Sequence, residues 1–433
     1  MTSRAAARAI FDAGLAAGDV RPLTHAALGH LAPPTRGRLV VVGAGKASGA
    51  MAAAVEEMWG DRVTSGLVVV KDGHRVPTRT IEVVEAGHPV PDARGVRAAR
   101  GILDRVPGLA ADDLVLVLVS GGASSLTPAP VEPITLADKQ AMTRLLLAAG
   151  ADIHQLNAVR KHCSRFKGGQ LARAASPAHV AALLLSDVIG DPPDVIGSGP
   201  TAPDASTYRE AWDVLARFDL VDRVPAPIRE HLAAGVSGQI AETPKPGDPL
   251  FGRVDNAVIG NNQLVVDAAA RRAAALGYRP HVLGRGVSGE ARSLAREFAR
   301  IAGEIAGGRH PAAAPACVIA GGETTVTVRG SGRGGRCQEF ALAAAIELDG
   351  RRGAVVLAAG TDGTDGPTDA AGAIADGETA ARARAAGLDL GRGLEANDSN
   401  PVFDALGDLV VTGPTHTNLL DLYVLLVEEG AEE

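Results

Sequence analysis

Cysteine is scarce in this chain: Cys163, Cys317 and Cys337 are the only three in 433 residues. The odd number and the lack of paired spacing exclude a disulfide framework and argue against a zinc site. Aromatic side chains make up 3% of the chain although 46% of it is hydrophobic, so the core must be built from Ala, Val, Leu and Ile. There is no excess of basic residues. The formal net charge is −7, which leaves no nucleic-acid footprint. No apolar run approaches the length of a membrane span; "LVLVLV" reads as a buried strand. The first twenty residues lack the continuous apolar stretch of a signal peptide. They read instead as an amphipathic helix with Ile10, Phe11 and Leu15 inward, and Asp12 and Asp19 speak against a transit peptide. The expectation is a soluble, reduced, cytoplasmic protein that binds neither nucleic acid nor membrane.

What the chain does have is small residues and short apolar runs. Gly 53 and Pro 26 imply many tight connections. "LVVVG", "GLVVVK", "IEVVEAG", "DLVLVLVSGG" and "VAALLLSDV" are strand candidates in the first half. "NAVIGNN", "RPHVLG", "CVIAGGE" and "AVVLAAGTDG" follow in the second. Most are apolar on both faces, as parallel strands covered by helices should be. Ala-rich helices are expected between them, for example Val265 to Leu276 and Arg292 to Ile305. The pattern predicts an α/β protein with mostly parallel sheets. The length suggests about two or three domains. A break is expected where Pro and Gly gather between Ala241 and Asp255.

The stretch "RLVVVGAGKASGAM" runs from a strand through Gly43 and Gly45 to Lys46 and then into helix-forming residues. Such a turn can present unpaired N–H groups to an anion. A dinucleotide fingerprint would need its third glycine one residue before Gly49, although Asp72 is offered as a ribose acid. A P-loop would need a hydroxyl where Ala47 stands and a glycine where Val40 stands. A plain strand-to-helix turn stays open beside these. Lys46 favours the anion, because it aims a point charge where phosphate oxygens would sit.

Other Gly-rich polar turns follow apolar strands, and in open α/β sheets such turns line one crevice. "VLVSGGASSLT" and "VIAGGETTVTV" share a strand, Gly-Gly and two hydroxyls. "SDVIGDPPDVIGSGPT" carries Asp187, Asp191 and Asp194, and "GTDGTDGPTDAAG" carries Asp362, Asp365 and Asp369. Hard oxygen ligands of this kind suit magnesium beside a phosphate, and Asp-Gly is also ordinary turn chemistry. Arg333 and Arg336 lie among glycines before a helix expected near Gln338, placed either to fork onto an oxyanion or to be solvated. Arg160, Ser164 and Lys167 fall at helical spacing, either as a solvated stripe or over an anionic substrate. "SGGASS" is not a serine-hydrolase elbow. His88 and His416, in Pro-rich turns, are candidate bases or structural histidines.

Taken in order, "VVGAGKASGAMA", "EAGHPVPD", "LVLVSGGASSL", "LNAVRKHCSRFKGGQLA", "LLLSDVIGDPPDVIGSGPT", "GGETTVTVRGSGRGGRCQEFALAAA", "LAAGTDGTDGPTDAAGA" and "TGPTHTNLLDL" resemble the class II glycerate kinases. That family has a DUF4147-type N-terminal region and a MOFRL C-terminal region. The resemblance implies two α/β domains, residues 1–245 and 246–433, with the MOFRL region at about 313–428. The first would be Rossmann-like, with a mostly parallel sheet covered by helices; the second would be smaller, with the active site in the cleft between them. It implies ATP-dependent phosphorylation of D-glycerate to 2-phosphoglycerate with Mg2+ or another divalent cation. Lys46, Asp187 and Arg336 match the family's essential lysine, Ser-Asp-Val acid and Gly-Gly-Arg arginine. The nucleotide-facing set would be Gly43, Gly45, Ser120, Gly121, Gly122, Gly321, Gly322 and Glu323, with Asp187, Asp191 and Asp362 toward the metal. Cys337 stands where the family usually has asparagine. A 3-phosphoglycerate product, an NAD(P)H-dependent hydroxypyruvate reductase and a non-catalytic anion sensor are the alternatives, and a homodimer stays open.

Overall fold

The computed structural model describes residues Met1 to Ala431. The chain forms two compact units. One is Val20–Ile259; the other joins Met1–Asp19 to the chain from Gly260 onward.

The Val20–Ile259 unit is built on β1 (Leu39–Ala44), β2 (Val63–Lys71), β3 (Ile81–Ala86), β4 (Leu114–Val119), β5 (His179–Leu185) and β6 (Val254–Gly260). Their order across the sheet is β3-β2-β1-β4-β5-β6. The pairs from β3 through β5 are all parallel. Every residue of β1 and β4 is buried, which explains why these strands carry no polar alternation. The sheet core is aliphatic as expected, apart from Phe166. A second core, around Met142, Leu146, Tyr208, Leu215 and Leu232, holds the helices that follow β4 and β5.

The other unit contains β7 (Arg279–Val287), β8 (Ala316–Gly322), β9 (Ala354–Gly360), β10 (Gly372–Asp376), β11 (Leu409–Val410) and β12 (Asp421–Val427), in the order β11-β10-β9-β12-β8-β7. This sheet is mixed. β12 lies antiparallel to both β8 and β9, while β7 and β8 are parallel. A continuous apolar run reports burial on both faces, not direction, so "DLYVLLV" could not reveal its reversal. Three aromatics meet here: Phe298 and Phe340 edge to face at 5.2 Å, with Phe340 5.0 Å from Tyr423.

The division of the chain differs from the break expected at 245/246. The Pro-rich stretch lies inside the first unit because β6, beyond it, completes the first sheet. The opening helix Ser3–Ala17 belongs to the other unit, with Ile10 and Phe11 fully buried there.

Candidate active site

In a parallel sheet all strands deliver their carboxyl ends to one edge. Between β1 and β4 the chain order reverses, and a crevice opens at such a point. Both turns there were singled out in the sequence, and they interlock. The Lys46 N–H donates to the Gly121 carbonyl at 2.9 Å, and the Ala47 N–H donates to the Ser120 hydroxyl at 3.0 Å. This approach requires glycine. A Cβ on Gly43 would sit 2.1 Å from the Leu118 carbonyl oxygen, and one on Gly45, at φ 140°, would sit 2.1 Å from Ser120 Oγ. Gly43 and Gly45 thus serve the packing of β1 on β4. Lys46 is half-buried, and its Cγ would lie 3.7 Å from a Cβ added to Gly122. The His88 ring packs against the same Gly122, 3.0 Å from that position.

Asp187 follows β5, the neighbour of β4, so it reaches the same sheet edge. Asp191 lies in the same loop at φ 56°. Asp194 pairs with Lys161 at 3.3 Å. Among the described residues no three His, Cys, Asp or Glu side chains converge as a metal cage. A magnesium ion that arrives on phosphate needs only one or two protein carboxylates, and the loop carrying Asp187 and Asp191 fits that smaller demand. Asp72, the acid a dinucleotide ribose would use, is held by Arg94 through both oxygens at 2.7 and 2.8 Å.

The basic stripe of the sequence takes an unexpected form. The helix Ile153–His162 stops before Ser164, so Arg160, Ser164 and Lys167 do not share a helix face. Ser164 turns the chain instead, accepting from the N–H groups of Phe166 and Lys167. Arg160 and Lys167 both converge on Ser124, in the turn after β4.

In the second unit the Arg336 guanidinium donates to Asp421 from Nε at 2.6 Å and from a terminal nitrogen at 2.9 Å. Its other nitrogen meets Glu323 at 2.7 Å. Asp421 is fully buried and also accepts from the Tyr423 hydroxyl at 3.0 Å. Burial works against the Arg336 charge, but the hydrogen bonds and charge of Asp421 outweigh it and hold its pKa above the ordinary arginine value. Gly321 and Gly322 end β8 and pair with Leu422 and Asp421. Asp362 folds back on its own turn, accepting from the Thr364 N–H and hydroxyl at 3.1 and 3.2 Å. Asp365, not Asp362, is the buried acid of that loop. It accepts from the Cys337 and Gln338 N–H groups at the start of the helix Arg336–Glu347. Burial raises its pKa to about 6 against those two backbone donors, and the nearby Asp421 charge pushes the same way. Cys337 is fully buried, so this position faces the core.

Asp421 and Tyr423 were not anticipated. The signal was a lone acid within "LLDLYVLLV", where an otherwise apolar strand admits one charge; buried charges are paired. Ser124 lies in "SGGASS", where no local pattern marks it, and its link to Arg160 and Lys167 is tertiary.

Residues 6–233 match the family described as a domain of unknown function, DUF4147, and residues 316–421 match the MOFRL family. A D-glycerate 2-kinase of Thermotoga maritima is 43% identical over 90% of this chain and 91% of its own length. The chain belongs to the class II glycerate kinase family. An Agrobacterium vitis relative of this family, provisionally named a hydroxypyruvate reductase, is 45% identical over 99% of this chain and 95% of its own length. The crystal structure of a glycerate kinase from Thermotoga maritima superposes with a TM-score of 0.89 at 40% identity, covering 98% of this chain and 99% of that one. Among the described residues no helix is long and apolar enough to cross a membrane.

Proposed function

We propose that this protein transfers the terminal phosphoryl group of ATP to D-glycerate, giving ADP and 2-phosphoglycerate. The carrying observation is the interlocked pair of turns, Gly43–Lys46 and Ser120–Gly122, at the reversal point of the first sheet. Their setting is a chain matched along nearly its whole length by a D-glycerate 2-kinase. A hydroxyl oxygen of glycerate forms the new bond to phosphorus, the bond to ADP breaks, and the hydroxyl proton leaves. Such a transfer depends on positioning and on stabilising charge more than on covalent chemistry.

In this proposal Lys46 neutralises charge on the transferred group. Ser120, Gly121 and Gly122 shape the nucleotide crevice. Asp187 takes the hydroxyl proton or, with Asp191, holds a divalent cation. Arg336 acts on the substrate oxyanions as an arginine already oriented by Asp421 and Glu323. Magnesium, when bound, would supply further neutralisation of phosphate charge. Asp362, drawn into its own turn, is the weaker metal candidate of the three acids. Glu323 meets Arg336 directly, and Gly321 and Gly322 stay candidates for a second nucleotide-facing turn. A cytoplasmic setting agrees with three free, buried cysteines.

The test couples the product to enolase without a mutase, starting from D-glycerate, ATP and magnesium. An enolase signal establishes the 2-phospho isomer, and ADP release without it establishes the 3-phospho isomer. The name of the Agrobacterium vitis relative keeps a reductase in the comparison. NAD(P)H-dependent reduction of hydroxypyruvate with no ADP release from glycerate would replace the kinase assignment. The bidentate hold of Arg94 on Asp72 speaks against it.

A further inference from the structure

A cation inside a protein is costly unless a carboxylate accompanies it. In the Val20–Ile259 unit two cations lack that company. Lys167 is 1% exposed, and its ammonium donates to the Ser124 carbonyl at 2.6 Å. Arg160, half-buried, donates to the hydroxyl of the same serine. Among the described residues no carboxylate pairs with either, and burial alone draws Arg160 down to about 10. The contrast with Lys161, one residue along, is direct: it has Asp194 and Asp204 each at 3.3 Å.

The hydrogen bonds around Ser124 are ordered. Ser198 donates to Asn157 Oδ1 at 3.1 Å, so the Ser124 hydroxyl, 2.8 Å from Ser198, must donate toward Ser198. Its lone pair then faces Arg160. A guanidinium carries five N–H donors and an ammonium three, so both cations keep donors that no acceptor among the described residues takes. Ser124 lies two residues past Gly122, which packs against Lys46, so the cluster adjoins the Lys46 turn.

We propose that Arg160 and Lys167, ordered around Ser124, form a pocket for a substrate oxyanion: the carboxylate of the hydroxy acid or a phosphate of the nucleotide. The arginine fork fits either group, and the lysine adds a point charge behind it. Only the naming of the two substrates rests on the proposed kinase activity. A merely structural Lys167 would serve to satisfy the Ser124 carbonyl, a task that needs no charge.

The experiment titrates wild type, Arg160→Gln, Arg160→Lys and Lys167→Met by calorimetry with D-glycerate, a non-hydrolysable ATP analogue and inorganic phosphate. Thermal midpoints are read with and without each ligand. The expected result is a loss of about a hundredfold or more in affinity for one of the two substrates, with the other within about threefold. The substrate that weakens identifies the oxyanion. Arg160→Lys should fall between wild type and Arg160→Gln. Lys167→Met should raise the midpoint of the unliganded protein and abolish the rise that the ligand brings. Affinities of Arg160→Gln within about threefold of wild type for both substrates would overturn the pocket, and Arg160→Gln decides alone if Lys167→Met fails to fold. If wild type binds neither glycerate nor the ATP analogue, the kinase assignment fails. The pocket is then judged on inorganic phosphate: binding by wild type that Arg160→Gln loses supports it, and no binding by either overturns it.

Discussion

Two arginines, one in each unit, meet opposite surroundings. Arg336 is clamped by a fully buried Asp421 and by Glu323. Among the described residues Arg160 hydrogen-bonds only to a serine hydroxyl, with the buried Lys167 beside the same residue. The first charge is balanced within the protein. The second is left for something else to balance. A compensated arginine is held in place and contributes direction; an uncompensated one contributes net attraction and costs stability until a ligand arrives. Removing each should therefore move stability in different directions, which makes the contrast testable.

The largest effect is expected for Arg336→Ala. It strands the Asp421 carboxylate in the core, and breaking a buried pair from one side costs about 3–5 kcal/mol. Turnover of glycerate should also fall by about a hundredfold or more. Denaturant unfolding and steady-state kinetics measure the two losses. Adding Asp421→Asn should return much of the stability and none of the turnover. Arg160→Gln, by contrast, should not lower unfolding stability. A stability loss there as large as that of Arg336→Ala would erase the distinction between the two sites.

Lys46→Ala comes next. Removal of one preorganised charge stabiliser commonly costs about a hundredfold in turnover. The interlock between the turns uses the backbone of Lys46, not its ammonium, so far-UV circular dichroism should be unchanged. Turnover within a few-fold of wild type would leave the turn a packing device between β1 and β4 and move the weight of phosphate binding elsewhere.

Lys139 gives a smaller and pH-dependent effect on the uncompensated side. It is 6% exposed and among the described residues donates only to the Cys163 carbonyl, and burial brings its pKa from 10.5 to about 8. Between those values the unfolded chain binds more protons than the folded one, so this residue makes stability rise with pH across that window. Below about pH 8 the lysine is charged in both states and its full burial cost is present. Lys139→Met should therefore stabilise the protein at pH 7 by on the order of 1–3 kcal/mol. The gain should shrink above about pH 8 and vanish near pH 10.5. Denaturant melts of both proteins across that range check it, and a gain constant with pH would assign it to packing instead.

How much of this was legible depended on range. Strands β1 to β9 announce themselves as apolar runs between glycines, and the turn from Gly43 to Lys46 is a local pattern. β10 and β11 are short and carry Gly and Ala, so no run marks them. β12, "DLYVLLV", is itself an apolar run, but its antiparallel pairing with β8 and β9, which lie far away in the chain, is not written in that run. The candidate site follows the same rule. Lys46, Asp187 and Arg336 sit at strand or helix ends and were visible. The Asp421 clamp closes across 85 residues and the Ser124–Lys167 contact across 43, and no local spacing encodes either. The Arg160–Lys167 stripe was noticed for its charge but assigned to a helix that ends at His162.

Cys337 offers the smallest effect and bears on the compensated side. Its thiol is fully buried, and burial, followed by the charge of Asp421, pushes its pKa well above the usual thiol value. The carboxylate that raises it is the same Asp421 that holds Arg336. Cys337→Ala removes the thiol without adding atoms to the core. Arg336 and Tyr423 still supply strong donors to Asp421, so stability should fall by no more than about 1 kcal/mol. Turnover should stay within about threefold, because the side chain faces the core and not a substrate. Unfolding midpoints and kinetics read both. A loss approaching that of Arg336→Ala would mean that Asp421 is poorly satisfied by its arginine, and that the two sites differ less in their charge balance than their hydrogen bonds suggest.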